Sequence, residues 1–294
     1  KARGLETPLG LGRIWRVVPE DSEPRAMPNL NAMDPAALAS HITHVNGSVR
    51  DMAQRLLTQS PDSSAKPMLE NIASTAPKDR DRIKALWTLH GMGFLDKELA
   101  LASLRDAYPI VRMNAIRVSE QWMDDQDVFE EITSLRDDPN PLVRRQLVLS
   151  IGTCQEPNAI LFLLEELGRT ESRRFRSAAM AGLMGREIET INLIAAEKAM
   201  FADTPLNRKT LSEIASQLIS KKNLKFNTLL IEFTTKLIAK RPWQSEVVMD
   251  SILQFLEKSQ ANQLKLNRAA FRWQQFQSNP PADMFEQVVQ LDNK

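Results

Sequence analysis

His41 and His44 stand three residues apart, a spacing that lets two imidazoles share one helical face and ligate one metal ion. A usable site needs at least three protein ligands, and no third residue of matching character lies near them. They read as polar residues at a helix end, ahead of the Asn46-Gly47 turn. The remaining histidine, His90 in ALWTLHGMG, precedes a helix-ending glycine, where an imidazole can cap the last carbonyls. Cys154 is the only cysteine; it can form no internal disulfide and, within VLSIGTC, reads as a small buried hydrophobe. No GxSxG elbow, phosphate loop or GxGxxG occurs. The acid pairs Glu130-Glu131 and Glu165-Glu166 are adjacent on helices, so their side chains diverge by about 100° and read as solvated faces rather than an acid/base pair. Arg173, Arg174 and Arg176 around Phe175 form the single basic cluster with an aromatic. It could contact a phosphate, but a solvated helix start beside Glu165, Glu166 and Glu171 is the simpler reading. These residues name no catalytic, cofactor-binding or metal-binding site.

The elements that carry them repeat. VRDMAQRLL from Val49, IKALWTLHGMG from Ile83, VRMNAIRVSE from Val111, VRRQLVLSIG from Val143 and FRSAAMAGLMG from Phe175 align, each opening with an apolar residue and a base. The steps are 34, 28, 32 and 32 residues. Loops rich in Asp, Asn, Pro and Gly precede three of them, HVNGS, RDAYPI and RDDPNPL, because these residues cap orphan helix N–H groups and fix turn dihedrals. Partner helices begin near Asp34, Ser63, Lys97, Asp127 and Asn158, with apolar residues at intervals of three and four, as in Val128, Ile132 and Leu135. Trp87, Trp122 and Trp243 fall among Leu, Ile and Val and read as core.

Two helices per roughly 30 residues, the second opened by an apolar-basic pair, resemble HEAT repeats over residues 34–185. The resemblance implies an all-α superhelix, a HEAT/ARM-like solenoid of stacked antiparallel pairs. The repeated base is expected to serve the inter-repeat contact by reaching an acid or carbonyl of the preceding loop, at Asp106, Asp137 or Asp138. Beyond residue 186 the pattern fades into longer helical segments, from Pro205, Leu224, Arg241, Asn262 and Ala282. The expected organisation is a strand and linker at 1–30, HEAT-like repeats at 31–186, and divergent repeats or a helical cap at 187–294.

Composition narrows the function classes. The 294 residues are 43% hydrophobic with a formal charge of +1, enough for a packed core and without a global field to draw in nucleic acid. No apolar run reaches the roughly 18 to 20 residues a membrane span needs.

One stretch differs from the rest. GRIWRVVPE reads as a short strand carrying Trp15, and with Lys1 in first position it suggests a piece of something longer. GRIWRVVPE, HVNGSVRDMAQRLL and DRIKALWTLHGMGFLD in that order look like the planctomycete and verrucomicrobial multi-domain proteins described as membrane-bound dehydrogenase-like, with a c-type haem-binding CxxCH domain. In that family a β-propeller ends in a strand like Gly12 to Arg16, a HEAT-like region follows, and a cytochrome c domain closes the chain. Asn46 to Leu57 and Ala85 to Gly93 match its helical motifs. The resemblance implies neighbouring propeller and cytochrome c domains as partners, c-type haem as the parent cofactor, and a periplasmic or cell-envelope location. With Cys154 alone, this chain lacks the two thiols of CxxCH, so no cofactor is expected in it. The expected role is a non-catalytic spacer and docking surface. A stand-alone scaffold binding a protein on its concave face, and a HEAT-like DNA glycosylase or lyase, are the rival readings.

Overall fold

The computed structural model describes residues 27–196, 202–221, 230, 232–235 and 240–259. Among them no strand occurs, and the chain is an all-α, HEAT/ARM-like solenoid of stacked helix pairs. The expected strand at Gly12 to Arg16, and the helices expected from Asn262 and Ala282, lie outside the described residues.

The pairs follow in chain order. Helix α1 (Pro35–Ser40) pairs with α2 (Gly47–Gln59), α3 (Lys66–Thr75) with α4 (Asp79–Met92), and α5 (Lys97–Ser103) with α6 (Pro109–Val118). Next come α7 (Gln126–Thr133) with α8 (Pro141–Ile151), α9 (Pro157–Arg169) with α10 (Arg173–Leu183), and α11 (Glu187–Ala195) with α12 (Pro205–Ser220). The last described helix, α13 (Pro242–Ser259), packs on α12. Helices α2, α4, α6, α8 and α10 contact one another in succession, while α1, α3, α5 and α7 form the opposite layer.

Local chemistry sets the helix starts. The Asp34 carboxylate accepts Ala37 N–H at 2.8 Å and the Asn140 side chain accepts Leu142 N–H at 2.9 Å. Pro35, Pro109, Pro141, Pro157 and Pro205 occupy first positions, where no N–H is missed. Gly93 ends α4 at φ 74°, its N–H bonded to His90 O and the Phe94 N–H to Leu89 O, so a side-chain-free residue closes the last turn.

Packing then holds the pairs together. Val143, Leu147, Val148 and Ile151 of α8 are buried against Ile160, Leu163 and Leu167 of α9 and Ala179 and Leu183 of α10, all in one cluster. Full burial of each larger side chain contributes roughly 1.5–3 kcal/mol. One apolar cluster runs from Leu30 to Val118 and a second from Leu104 to Ile252; Trp122 packs against both. The second passes through residue 186 without interruption, from Leu183 to Ile191, Ile194 and Leu211. At the ends of α8 and α10 the backbones nearly touch, for a Cβ on Gly182 would stand 2.6 Å from Gly152 Cα.

Candidate functional site

The most regular polar feature is a ladder of arginines. Arg50, Arg82, Arg112, Arg144 and Arg176 open α2, α4, α6, α8 and α10, separated by 32, 30, 32 and 32 residues. In the first four, Nη1 donates to the carbonyl six residues upstream: His44, Ala76, Asp106 and Asp138. Arg176 reaches Leu167 O at 2.7 Å instead. In Arg82 and Arg112 the free edge of the guanidinium reaches forward along the chain. Arg82 Nε and Nη2 grip the Asp106 carboxylate at 2.8 and 2.9 Å, and Arg112 grips Asp138 at 2.7 and 2.9 Å.

This bears out the expected reach to a carbonyl of the preceding loop, at Asp106 and Asp138, and corrects the sequence reading in α4. The repeat position in α4 is Arg82, not Lys84, whose ammonium pairs with Asp51 of α2 at 2.5 Å. Arg82 and Arg112 also meet two loops: their own through a carbonyl, the following repeat's through a carboxylate. Asp106 and Asp138 are both used as expected acids, but by the preceding repeat's arginine; Asp137 pairs with Arg169 at 2.6 Å.

These pairs are screened from water. Arg112 and Asp138 retain 12% and 3% side-chain exposure, so a planar two-bond fork replaces hydration on both ions. Burial pushes the Asp138 carboxyl up, but the Arg112 fork, the Asn140 N–H and the charge of Arg144 outweigh it and leave it below the usual carboxylate range. Arg176 continues the ladder, donating to Thr210 Oγ1 at 3.0 Å and Glu213 at 2.9 Å, while its Nε is buried without a partner.

The fourth position differs. The residue equivalent to Asp106 and Asp138 is Thr170, placed by the same turn: Tyr108 N–H bonds Asp106, Asn140 N–H bonds Asp138, and Ser172 N–H bonds Thr170 Oγ1. A hydroxyl cannot receive the fork, and Arg144 Nε and Nη2 have no partner among the described residues. Arg144 borders a groove of ≈ 450 Å³ between α8, the end of α9 and the start of α10. Exposed Arg145 and Arg174, and half-buried Phe175, line it too. The acids on its wall are engaged, Glu166 by Arg136 at 2.7 Å and Asp137 by Arg169.

The structure thus divides the basic cluster seen in sequence. Arg176 is buried in the ladder, Arg174 and Phe175 face the groove, and Glu165 and Glu166 serve Arg136 rather than the start of α10. Arg145, Thr170 and Glu213 went unnoticed in the sequence; comparing position 170 with 106 and 138 was the available signal.

The other chemistry-bearing residues have structural partners. His41 Nδ1 lies 3.1 Å from Ala37 O, His44 Nδ1 accepts the Asn46 N–H, and the two rings stack at 6.0 Å. No group of three or more His, Cys, Asp or Glu residues suited to a metal occurs among the described residues. His90 packs edge-to-face on Trp87. Cys154 is buried, and burial pushes its thiol pKa up. Trp87 is half-buried rather than core, its Nε1 donating to Asn114 at 2.8 Å and its ring under Arg117. Among the described residues no helix is long and apolar enough to cross a membrane.

A family model described as HEAT repeats matches residues 97–184, which span α5 to the end of α10 and the third to fifth ladder positions. No curated protein matches the chain.

Proposed function

We propose that this HEAT-repeat solenoid works as a non-catalytic rigid spacer and docking surface between a dehydrogenase-like propeller and a cytochrome c domain, holding electron donor and acceptor at a fixed separation. One observation carries the spacer role: the guanidinium–carboxylate pairs Arg82–Asp106 and Arg112–Asp138 each tie a helix to the loop of the following repeat. A solenoid whose repeats touch only their neighbours is as stiff as those junctions. The ordered motifs GRIWR, HVNGSVRDMAQRLL and ALWTLHGMG support the parent context. Haem, the electron-transfer chemistry and a cell-envelope location belong, on this reading, to the parent protein. The coding sequence on both sides of the segment is the direct test, with propeller blades expected upstream and CxxCH downstream. A start codon just before Lys1 with a stop after Lys294 would overturn it. The glycosylase rival predicts salt-sensitive DNA binding by the chain.

A further inference from the structure

We infer that the groove beside Arg144 is a binding site for a phosphate monoester dianion, which takes the place that an aspartate carboxylate holds at the neighbouring ladder positions. The argument starts from the repeat itself. Arg82 and Arg112 show what this guanidinium edge is built to hold: two coplanar oxygens of an anion, within 2.7 to 2.9 Å. Arg144 is pinned in the same way, by its Nη1 bond to Asp138 O, so its Nε–Nη2 edge is preorganised rather than searching.

The chain supplies no anion there because position 170 is threonine. It supplies more positive charge instead. Arg145 and Arg174 reach the same groove without a partner among the described residues. Three guanidinium groups that no carboxylate bonds among the described residues exceed what one carboxylate balances and suit a phosphate monoester, which carries about −1.5 to −2 at neutral pH and three acceptor oxygens. The Ser172 hydroxyl, also on the groove wall, adds a donor, and Phe175 offers an apolar face for the rest of the ligand.

Size and charge restrict the ligand class. A volume of ≈ 450 Å³ fits a small molecule, and a net charge of +1 over 294 residues does not favour a polyanion. Arg50 also lacks a forward carboxylate, since position 76 is alanine; what sets Arg144 apart is that Arg145 and Arg174 line the same groove.

Thr170→Asp turns the inference into an experiment, because it installs the residue that Asp106 and Asp138 already show to be compatible with this turn. Phenyl phosphate and inorganic phosphate are titrated into the full chain at constant ionic strength, with benzoate as the carboxylate control and a single-stranded oligonucleotide as the diester control. The expected result is saturable binding of both phosphates by the parent chain, weaker binding of benzoate, and at least a tenfold loss of phosphate affinity in Thr170→Asp, together with a raised Tm in the absence of phosphate. Arg145→Glu, at an exposed position outside the core, should give a comparable loss with an unchanged Tm. Equal phosphate affinity in all three proteins, no saturable phosphate binding, or oligonucleotide binding tighter than phenyl phosphate would each overturn the assignment.

Discussion

Asp138 shows how much one ladder residue carries. Its carboxylate accepts the Arg112 fork and the Asn140 N–H, and its carbonyl accepts Arg144 Nη1, so it joins two successive repeats. Replacing it with alanine strands a guanidinium of 12% exposure, and breaking a buried pair on one side costs about 3–5 kcal/mol. Urea unfolding should register that loss, and a change below about 1 kcal/mol would mean the pair is effectively solvated. Arg112→Lys should also weaken the junction, since an ammonium cannot make the planar fork. The pH dependence has a definite sign. The folded-state pKa of Asp138 is depressed, so its contribution is present above the unfolded value of about 3.9 and fades as pH falls through the folded one. Stability should therefore drop below about pH 4, and Asp138→Asn should show a smaller drop than the parent when urea midpoints at pH 7 and pH 3 are compared.

At the scale of elements, helix spacing is set by the smallest residues. A methyl group on Gly182 would press on Gly152 Cα at 2.6 Å and on Leu163 Cδ1 at 2.9 Å, so α8 and α10 must separate or the backbone must bend. Gly182→Ala should cost about 1–3 kcal/mol in urea unfolding. Gly93→Ala meets nothing within 4 Å and should cost only the left-handed backbone strain, roughly 1–2 kcal/mol. Helices of this kind were legible in the sequence because Pro, Asp and Asn sit at their starts and apolar residues recur along them. The register of α4 was not. A search for an apolar-basic pair finds Ile83-Lys84, whereas the ladder position is Arg82 preceded by Asp81. What fixes that position is a carbonyl six residues back and a carboxylate 24 residues ahead, and the second is invisible to any local pattern. The short α11 went unmarked for a related reason: Ile191 and Ile194 are defined by the cluster they enter, shared with Leu183 and Leu211.

At the scale of the whole molecule, most inter-repeat pairs among the described residues share a direction. Arg82–Asp106, Arg112–Asp138, Arg105–Glu131, Arg136–Glu166, Arg176–Glu213 and Arg208–Glu246 all run from a base to an acid later in the chain; Lys84–Asp51 and Arg169–Asp137 run the other way. The exposed members contribute little each, but a shared polarity makes slipped stacking put like charges together, which selects one register. The solenoid class followed from local periodicity, whereas this polarity needed every partner's position. Stiffness is its expected consequence and can be measured. Spin labels on Gln59→Cys in α2 and Ser177→Cys in α10 attach at exposed positions, while native Cys154 is 3% exposed and stays largely unlabelled. Electron–electron dipolar spectroscopy should then give one narrow distance distribution. Asp106→Asn combined with Asp138→Asn leaves α2 and α10 intact but loosens the two junctions between them, so the distribution should broaden. A parent chain already as broad as the double variant would remove the ladder as the source of rigidity, and with it the physical ground for the proposed fixed spacing between donor and acceptor.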